Sequence, residues 1–261
     1  MLVQRLLAAI NRLPIGERPI RFGADRLYAD SLDRWVAAVA WSRGWRERRE
    51  LELIARVVGA GMVAVDVGAN IGCHTLTLAR AVGATGRVHA LEPDPRNFRL
   101  LERAVREAGL TQVRLHQAAA SDRAGQMTLY LAAANRGDHR LVAAEEARER
   151  VVVAARPLDD LLASEPRVDF LKIDVQGSEV VVLRGLRETL ARNPGLTMLC
   201  ELSPDLLLRA GVGAEDFFAP LRTAGLRPHR LIGNGDPAPV SEPDAWSAAE
   251  SSGYETIWLA P

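Results

Sequence analysis

The residues best suited to chemistry lie at two strand ends, where glycines and an acid occur at spacings typical of a nucleoside site. An apolar run ends at Asp66, Gly68 allows a tight turn, and Gly72 precedes a helical pattern. The N-terminus of such a helix presents free N–H groups that attract an anionic group. Glu92 lies 24 residues after Gly68, where an acid can accept hydrogen bonds from ribose hydroxyls. These residues predict a pocket for a nucleoside that carries a negative group near the helix.

The spacing within the turn also distinguishes between ligands. The dinucleotide pattern G-x-G-x-x-G has a second glycine where the pyrophosphate approaches, and Asn70 stands at that position here. A smaller ligand with a carboxylate fits better, and S-adenosylmethionine is one. The first alternative to an S-adenosylmethionine-binding protein is an NAD-dependent Rossmann oxidoreductase. Such enzymes share the buried strand, the glycine turn and the acid that binds the ribose. A non-catalytic binding module on the same fold is the second.

Charged side chains inside a later apolar strand form a second candidate site. Lys172 and Asp174 share one face of this strand, because side chains alternate between the two faces. Burying them is costly unless they are paired, so they predict either a functional role or a structural ion pair. Glu201 ends the neighbouring strand and can join them. No histidine pair at ligand spacing accompanies these acids, so we expect no metal.

A histidine in a polar insert is the candidate base. His139 lies within residues 132–149, where an acceptor would enter. Its ring can accept a proton near neutral pH, although a loop histidine can also be merely solvated. We predict that His139 is the general base for a hydroxyl acceptor, and that Asp174, with Lys172 beside it, orients the reactants.

The surrounding pattern is that of an α/β fold. Short apolar runs alternate with amphipathic helical stretches, which indicates a parallel sheet with helices on both faces. Residues 126–131 and 150–155 predict a β-hairpin inserted around residues 132–149. Residues 233–253 are rich in Gly, Pro and Ser and predict a long loop before a final antiparallel strand. The other predicted strands lie at 62–67, 87–91, 113–117, 168–173, 196–202, 226–232 and 254–259, with helices at 71–81, 95–108, 157–163 and 178–191.

Composition excludes several classes of protein. The chain has 261 residues, of which 48% are hydrophobic and 25% charged, so it can bury a core without disulfides. A net charge of +0 argues against nucleic acid held by a basic field. Lys172 is the only lysine, so no P-loop is present, and Cys73 and Cys200 form no C-x-x-C pair.

The targeting signals and the domain organisation are read from the same sequence. No apolar run approaches the roughly 18 residues of a membrane span, so we expect no stable membrane insertion. The absence of a signal-peptide pattern predicts a cytoplasmic protein. Residues 1–59 are helical in pattern and predict an N-terminal extension that packs on a domain of residues 60–261. A homo-oligomer is compatible with this composition.

At the glycine turn the sequence resembles the FkbM family of S-adenosylmethionine-dependent methyltransferases. The segment D-V-G-A-N-I-G at residues 66–72, followed by Thr75, resembles the family's first motif. The segment L-K-I-D-V-Q-G-S-E at residues 171–179 is the second long match, with Gln176 where the family often has glutamate. Shorter matches occur at Gly44, Trp45 and Glu47, at Glu92 and Pro93, at residues 120–122 and 157–160, and at Glu201.

The resemblance implies a Rossmann-like methyltransferase sheet of seven strands in the order 3-2-1-4-5-7-6, with strand 7 antiparallel. In it Asp66 would orient the turn. The implied cofactor contacts are Gly68, Asn70, Gly72 and Thr75 at the methionine end, Glu92 and Pro93 at the ribose, Ala120, Ser121 and Asp122 at the adenine, and Asp174 at the methyl group.

The resemblance also implies a reaction class. It is the O-methylation of a hydroxyl on a sugar or a secondary metabolite, with S-adenosylmethionine as the cofactor and a small-molecule or saccharide acceptor as the partner. We expect Trp45, Gln176 and Glu201 to contribute to substrate binding.

Overall fold

The computed structural model describes residues 17–30, 47–132, 139–141, 149–233 and 235–261. The predicted N-terminal docking helix, Trp45 and most of the polar insert lie outside the described residues. No described helix is long and apolar enough to cross a membrane.

Strands and helices are numbered here in chain order. The strands are β1 (Glu17–Phe22), β2 (Asp25–Asp30), β3 (Val63–Val67), β4 (Arg87–Leu91), β5 (Val113–His116), β6 (Ala119–Ala120), β7 (Gly125–Leu131), β8 (Glu149–Arg156), β9 (Phe170–Ile173), β10 (Thr197–Leu202), β11 (Arg227–Ile232), β12 (Asp236–Pro239) and β13 (Glu255–Ala260). The helices are α1 (Arg48–Val57), α2 (Cys73–Val82), α3 (Pro95–Glu107), α4 (Leu158–Leu162), α5 (Glu179–Arg184), α6 (Arg187–Arg192), α7 (Pro204–Arg209), α8 (Ala214–Thr223) and α9 (Glu242–Ser252).

The main sheet confirms the predicted α/β class. Its order is β5-β4-β3-β9-β10-β13-β11-β12. Neighbours from β5 to β10 pair in parallel, and β13 lies antiparallel between β10 and β11. The expected count of seven strands is wrong by one, because β12 adds an antiparallel edge strand beyond β11.

Strand β3 shows why the sheet needs helices on both faces. All five of its residues are buried. Val63, Val65 and Val67 belong to the core that contains α5, α8 and α9, whereas Ala64 belongs to the core that contains α1, α2 and α3. A strand buried on both faces is a continuous apolar run, which is the pattern that the sequence shows.

Two segments depart from the sequence-based expectation. Residues 233–253 are not a structureless loop, because they form β12 and α9. Ser241 caps α9 by accepting a hydrogen bond from the backbone N–H of Asp244 (3.2 Å), and a proline lies in the first turn. These are ordinary helix-start signals that the Gly- and Ser-rich composition obscured.

The N-terminal extension is not helical throughout its described part. Residues 17–30 form the antiparallel hairpin β1–β2, followed after a gap in the description by α1. Leu27 and Tyr28 of β2 pack with Leu53 and Ile54 of α1 in the core on one face of the sheet. The extension therefore docks through a strand and a helix.

The predicted insert hairpin is confirmed. Strands β7 and β8 pair antiparallel from Gly125–Ala155 to Leu131–Glu149, and β6 joins them in parallel to form a three-stranded sheet. This small sheet places the backbone of Ala119 and Ala120 beside the end of β4.

A histidine pair, of which His89 is buried and His116 half-buried, lies between β4, β5 and the segment before β9. His89 Nδ1 is 3.1 Å from His116 Nε2, with the rings stacked, and His89 Nε2 is 3.0 Å from Glu165 Oε1. Arg87 also pairs with Glu165 at 2.9 Å. Burial lowers the pKa of His89 and lowers that of His116 to about 4. The native state thus holds both rings neutral near pH 7.

This pair predicts an acid-sensitive stability. The unfolded chain takes up protons at these rings as the pH falls below about 6.5, whereas the folded chain does so at lower pH, at about 4 for His116, so stability is lost as the pH falls below 6.5. His116→Gln should flatten the loss. Urea unfolding at about pH 5 and about pH 7.5 would measure it, with His229→Gln as the control outside the cluster. Equal pH dependence in His116→Gln and the wild type would contradict this account.

Candidate active site

A cleft opens at the carboxyl ends of β3, β4 and β9. Ligands of open α/β sheets bind at this edge. Its lining consists of Glu47, residues 67–71, Cys73, His74, residues 91–93, Asn97, residues 118–120, Leu129, His139, Leu141, Lys172 and residues 174–176. The structure therefore brings together most of the site residues expected from the sequence, with exceptions described below.

A glycine at position 68 is required for the packing of the turn against the end of β9. Its φ is +85°, and an added Cβ would lie 1.9 Å from the carbonyl oxygen of Asp174. The N–H groups of Gly68 and Ala69 both donate to the carbonyl of Leu91, at 3.1 and 2.9 Å. The missing Cβ therefore makes room for the backbone at the end of β9.

Gly72 does not line the cleft. It precedes α2 with a φ of +103°, and an added Cβ would meet Leu101 Cδ1 at 2.8 Å, on the side of the core. Asn70, with a φ of +51°, does line the cleft. Its Oδ1 is buried and has no hydrogen-bond partner among the described residues, so it can accept a hydrogen bond from a ligand.

Asp66 and Thr75 lie behind the cleft. The Thr75 hydroxyl donates to Asp66 Oδ2 at 2.6 Å, and both side chains are fully buried. Asp66 was expected to orient the backbone of the turn. Its hydrogen bond with Thr75 instead connects β3 to α2. Neither residue lines the cleft.

Glu92 is the acid that faces the cleft from the end of β4, beside Pro93. Its Oε2 accepts from the N–H of Asn70 (2.8 Å) and its Oε1 from the N–H of Asp94 (2.9 Å). The residue is only 5% exposed. Burial raises the pKa of Glu92 to about 8, against the lowering effect of these two N–H groups. The carboxyl is therefore fixed in place, and its ionisation is sensitive to a ligand that enters the cleft.

The side of the cleft expected to hold adenine is formed by only one of the three residues that the resemblance suggested. Ala120 lines it, together with Ala118, Ala119 and Leu129. Ser121 is buried, its N–H donating to the carbonyl of Arg156 (3.0 Å), and Asp122 is exposed; neither lines the cleft. The signal that sequence reasoning missed is the alanine run at residues 118–120, whose small side chains leave a flat apolar wall.

His139 lines the cleft, but its hydrogen bonds do not support the predicted base role. Its Nδ1 accepts from the N–H of Ala132 at 3.0 Å, which uses the lone pair of that nitrogen. In that tautomer Nε2 carries the ring hydrogen, and it lies 3.4 Å from Asp94 Oδ2. The neutral ring thus has no free lone pair for an acceptor, and it links the insert to the residue that caps α3.

Lys172 and Asp174 form the expected pair, and Gln176 extends it. Lys172 Nζ donates to Asp174 Oδ2 at 3.1 Å. Gln176, held at a φ of +52°, donates to Asp174 Oδ1 (2.9 Å) and to Glu201 Oε1 (2.8 Å). Glu201 itself is not part of the lining, so its contribution to a substrate site would pass through Gln176.

The charges of this group are set by burial and by Lys172. Burial acts to raise the pKa of Asp174, but Lys172 and Gln176 lower it overall. Burial and the neighbouring Asp174 and Glu179 raise the pKa of Glu201 well above its usual value. Asp174 is therefore an ionised carboxylate at the edge of the cleft, and Gln176 bridges it to Glu201, whose pKa is raised. No described group of three or more His, Cys, Asp and Glu could hold a metal ion.

A second charged group, to which sequence reasoning gave no role, faces the cleft from the start of α1. Glu47 Oε2 lies 3.7 Å from His74 Nδ1, and Glu50 Oε2 lies 3.3 Å from His74 Nε2. Thr256 on β13 donates to Glu50 at 2.6 Å. Burial and Lys172 act to lower the pKa of His74, but Glu47 and Glu50 raise it overall. The resemblance included Glu47, and only the fold shows that it lies beside α2.

Comparison with known protein families identifies the family of this chain. The family model described as the methyltransferase FkbM domain matches residues 66–215, more than half of the chain. The chain belongs to the FkbM methyltransferase family. S-adenosylmethionine is therefore its cofactor. The match runs from Asp66 behind the glycine turn to Glu215 in the first turn of α8, so it includes the end of β3 and all of β4 and β9.

Individual relatives are more distant. The FkbM chain is 29% identical over 143 residues to "Methyltransferase 1" of Beauveria bassiana, covering 47% of this chain and 57% of the fungal protein. A methyltransferase FkbM structure from Methylobacillus flagellatus aligns with a TM-score of 0.48 at 16% identity, over 87% of this chain and 53% of that one. The O-methyltransferase TomG from Streptomyces achromogenes aligns with a TM-score of 0.46 at 15% identity, over 83% and 79%. The chain thus spans little more than half of the first two relatives.

The cleft fits the cofactor of the family. S-adenosylmethionine offers ribose hydroxyls and an ammonium group as donors. The buried Asn70 Oδ1 is an acceptor that lacks a partner among the described residues, and the Glu92 carboxyl faces the same space. The apolar wall at residues 118–120 suits a flat base.

The two glycines of the turn predict different costs of substitution in the FkbM chain. Both have positive φ, which costs an alanine about 1–2 kcal/mol. Gly68→Ala adds a backbone collision with Asp174 and should lower the free energy of unfolding by about 3 kcal/mol or more. Gly72→Ala meets only the movable end of Leu101 and is the matched control. Chemical denaturation would compare them, and equal losses would contradict the packing argument.

Glu92 predicts a proton-linked affinity for S-adenosylhomocysteine. Hydroxyl donors stabilise the ionised carboxylate, so binding should release a proton and strengthen as the pH rises toward about 8. Glu92→Gln should remove this dependence and weaken binding by roughly 10- to 100-fold, because a charged acceptor is lost. Calorimetry in buffers of different ionisation enthalpy counts the proton, with Glu188→Gln on α6 as the exposed control. A pH-independent affinity in the wild type would refute the assignment.

Proposed function

We propose that this FkbM protein is an S-adenosylmethionine-dependent O-methyltransferase that acts on a hydroxyl of a small molecule or a saccharide. The proposal rests on one observation, the ionised carboxylate of Asp174 at the rim of the cofactor cleft. Both its oxygens are held by side chains, from Lys172 and Gln176, yet the side chain is still 25% exposed. A fixed carboxylate of this kind accepts a hydrogen bond from a neutral hydroxyl and orients its oxygen.

Orientation is the main contribution that these residues would make. When bound, the cofactor supplies an electrophilic methyl group on a sulfonium. Holding an acceptor oxygen in line with such a group can by itself lower the barrier by about 7–11 kcal/mol. Lys172 keeps Asp174 ionised and in place, and the Gln176 amide holds its other oxygen while also donating to Glu201. A carboxylate with a lowered pKa is a weak base, so we assign Asp174 to positioning of the hydroxyl.

The other residues divide along the cleft. We propose that Asn70 and the first turn of α2 take the methionine end, that Glu92 takes the ribose, and that residues 118–120 with Leu129 take the adenine. His139 then closes the nucleoside side by its contact with Asp94. The acceptor would then bind beside Asp174 and Gln176, which line the same cleft.

The same observations bear on the two alternative functions, an NAD-dependent oxidoreductase and a non-catalytic binding module. Family membership removes the basis for an NAD-dependent oxidoreductase, which rested only on features that both classes share. A binding module without turnover would keep the cleft but would not need Asp174 ionised at its rim. The charge of Asp174 therefore favours catalysis.

The acceptor class is tested with a panel of hydroxyl compounds. Monosaccharides, alkyl glycosides and hydroxylated aromatics would be incubated with S-adenosylmethionine, with amines as the comparison, and products located by mass spectrometry. Methyl transfer to oxygen is expected. Methyl groups found only on nitrogen would contradict the acceptor class, and S-adenosylhomocysteine binding without any transfer would favour the binding module.

Variants of the same protein separate positioning from proton transfer. Asp174→Asn should lower kcat by about 100-fold, a typical loss when a reactant is misplaced, with little change in S-adenosylhomocysteine affinity. His139→Ala should lower kcat less than about tenfold, below the range typical of a lost general base. Asp205→Asn, exposed on α7, is the control. A near-normal kcat in Asp174→Asn would overturn its assignment, and a loss of 100-fold or more in His139→Ala would restore the base role.

A further inference from the structure

The methionine end of the cofactor presents two charges, a carboxylate and an α-ammonium. The first turn of α2 offers backbone N–H groups, which suit the carboxylate. The ammonium needs an anionic partner at the same end of the cleft.

We propose that Glu47 binds the α-ammonium group of the cofactor's methionine moiety, through a carboxylate that reaches the cleft from outside the matched family segment. Glu47 immediately precedes α1 and lines the cleft together with Cys73 and His74 of the first turn of α2. Its side chain is 31% exposed, against 15% for Glu50 and 5% for His74. Of these three groups it is therefore the one open to a ligand.

Among the described carboxylates Glu47, Glu50 and Asp174, Glu47 has the longest distance to a cationic partner. Lys172 lies 3.1 Å from Asp174, and His74 lies closer to Glu50 (3.3 Å) than to Glu47 (3.7 Å). Both cations are thus committed mainly to other carboxylates. A primary ammonium in the cleft would complete the coordination of Glu47 and offset an excess of negative charge at this end.

Electrostatics supports the same conclusion. Burial raises the pKa of Glu47, as do Glu50 and Asp174, whereas His74 and Lys172 act in the opposite direction. The ionised form of a carboxylate that is destabilised by burial and by neighbouring negative charges is stabilised more by a new cation than a fully hydrated carboxylate is. The argument concerns only the methyl donor, so it holds whatever acceptor the protein uses.

Binding of two ligands tests the proposal without any acceptor. The first is S-adenosylhomocysteine, whose neutral thioether leaves the ammonium as its only cation. The second is its deaminated analogue, which keeps the carboxylate, the thioether and the nucleoside. Calorimetry would measure both with the wild type, Glu47→Gln and Glu50→Gln. Glu50 belongs to the same cluster but does not line the cleft, so Glu50→Gln is the matched control.

We expect Glu47→Gln to weaken S-adenosylhomocysteine by roughly 10- to 100-fold and to leave the deaminated analogue within threefold of the wild type. Glu50→Gln should change the two ligands equally. Equal weakening of both ligands by Glu47→Gln would show a merely structural role and overturn the proposal. Unchanged affinity for both would also overturn it and would leave Glu47 free for another task, such as accepting a proton. Thermal unfolding of each variant verifies that the protein is folded.

Discussion

The approach of the Asp174 carbonyl to Gly68 holds the ends of β3 and β9 together, and the cleft depends on this contact. The oxygen occupies the volume that a Cβ would take, so no other residue at position 68 permits the same distance between the strands. The same turn uses two N–H groups to hold Leu91 at the end of β4. Three strand ends therefore meet around one backbone turn, and the cleft is the space that they leave above it.

Polar groups around this turn are held mainly by backbone and buried partners. Glu92 is bonded by the N–H groups of Asn70 and Asp94, which connect the turn after β3 to the loop before α3. Asp174 is bonded by a buried lysine and by Gln176. Side chains fixed in this way lose little entropy when a ligand arrives, which is the physical basis of a preorganised site. Among the described residues near the methionine end, the carboxylates of Glu47, Glu50 and Asp174 outnumber the cations of Lys172 and His74, and this imbalance suits a cofactor that carries positive charge.

The parts of the site that depend on local periodicity could be predicted from the sequence. The pairing of Lys172 with Asp174 follows from the alternation of side chains along a strand. The placement of Glu92 follows from the edge where parallel strands end. The base role of His139 could not be judged this way, because it depends on which groups the ring nitrogens meet. Those groups, the Ala132 amide and the Asp94 carboxylate, come from two different loops.

The sequence by itself determined the α/β alternation, the insert hairpin and the family, because each is encoded in short-range patterns or contiguous motifs. It also contained the helix signal at Ser241, although the Gly- and Ser-rich context hid it. The tertiary structure alone decided that Gly68 serves β9, that Gly72 faces the core, that Ser121 and Asp122 stay outside the cleft, and that Glu47 lies beside His74. Each of these facts joins segments far apart in the chain, and neither spacing nor composition specifies which side chains meet when such segments pack.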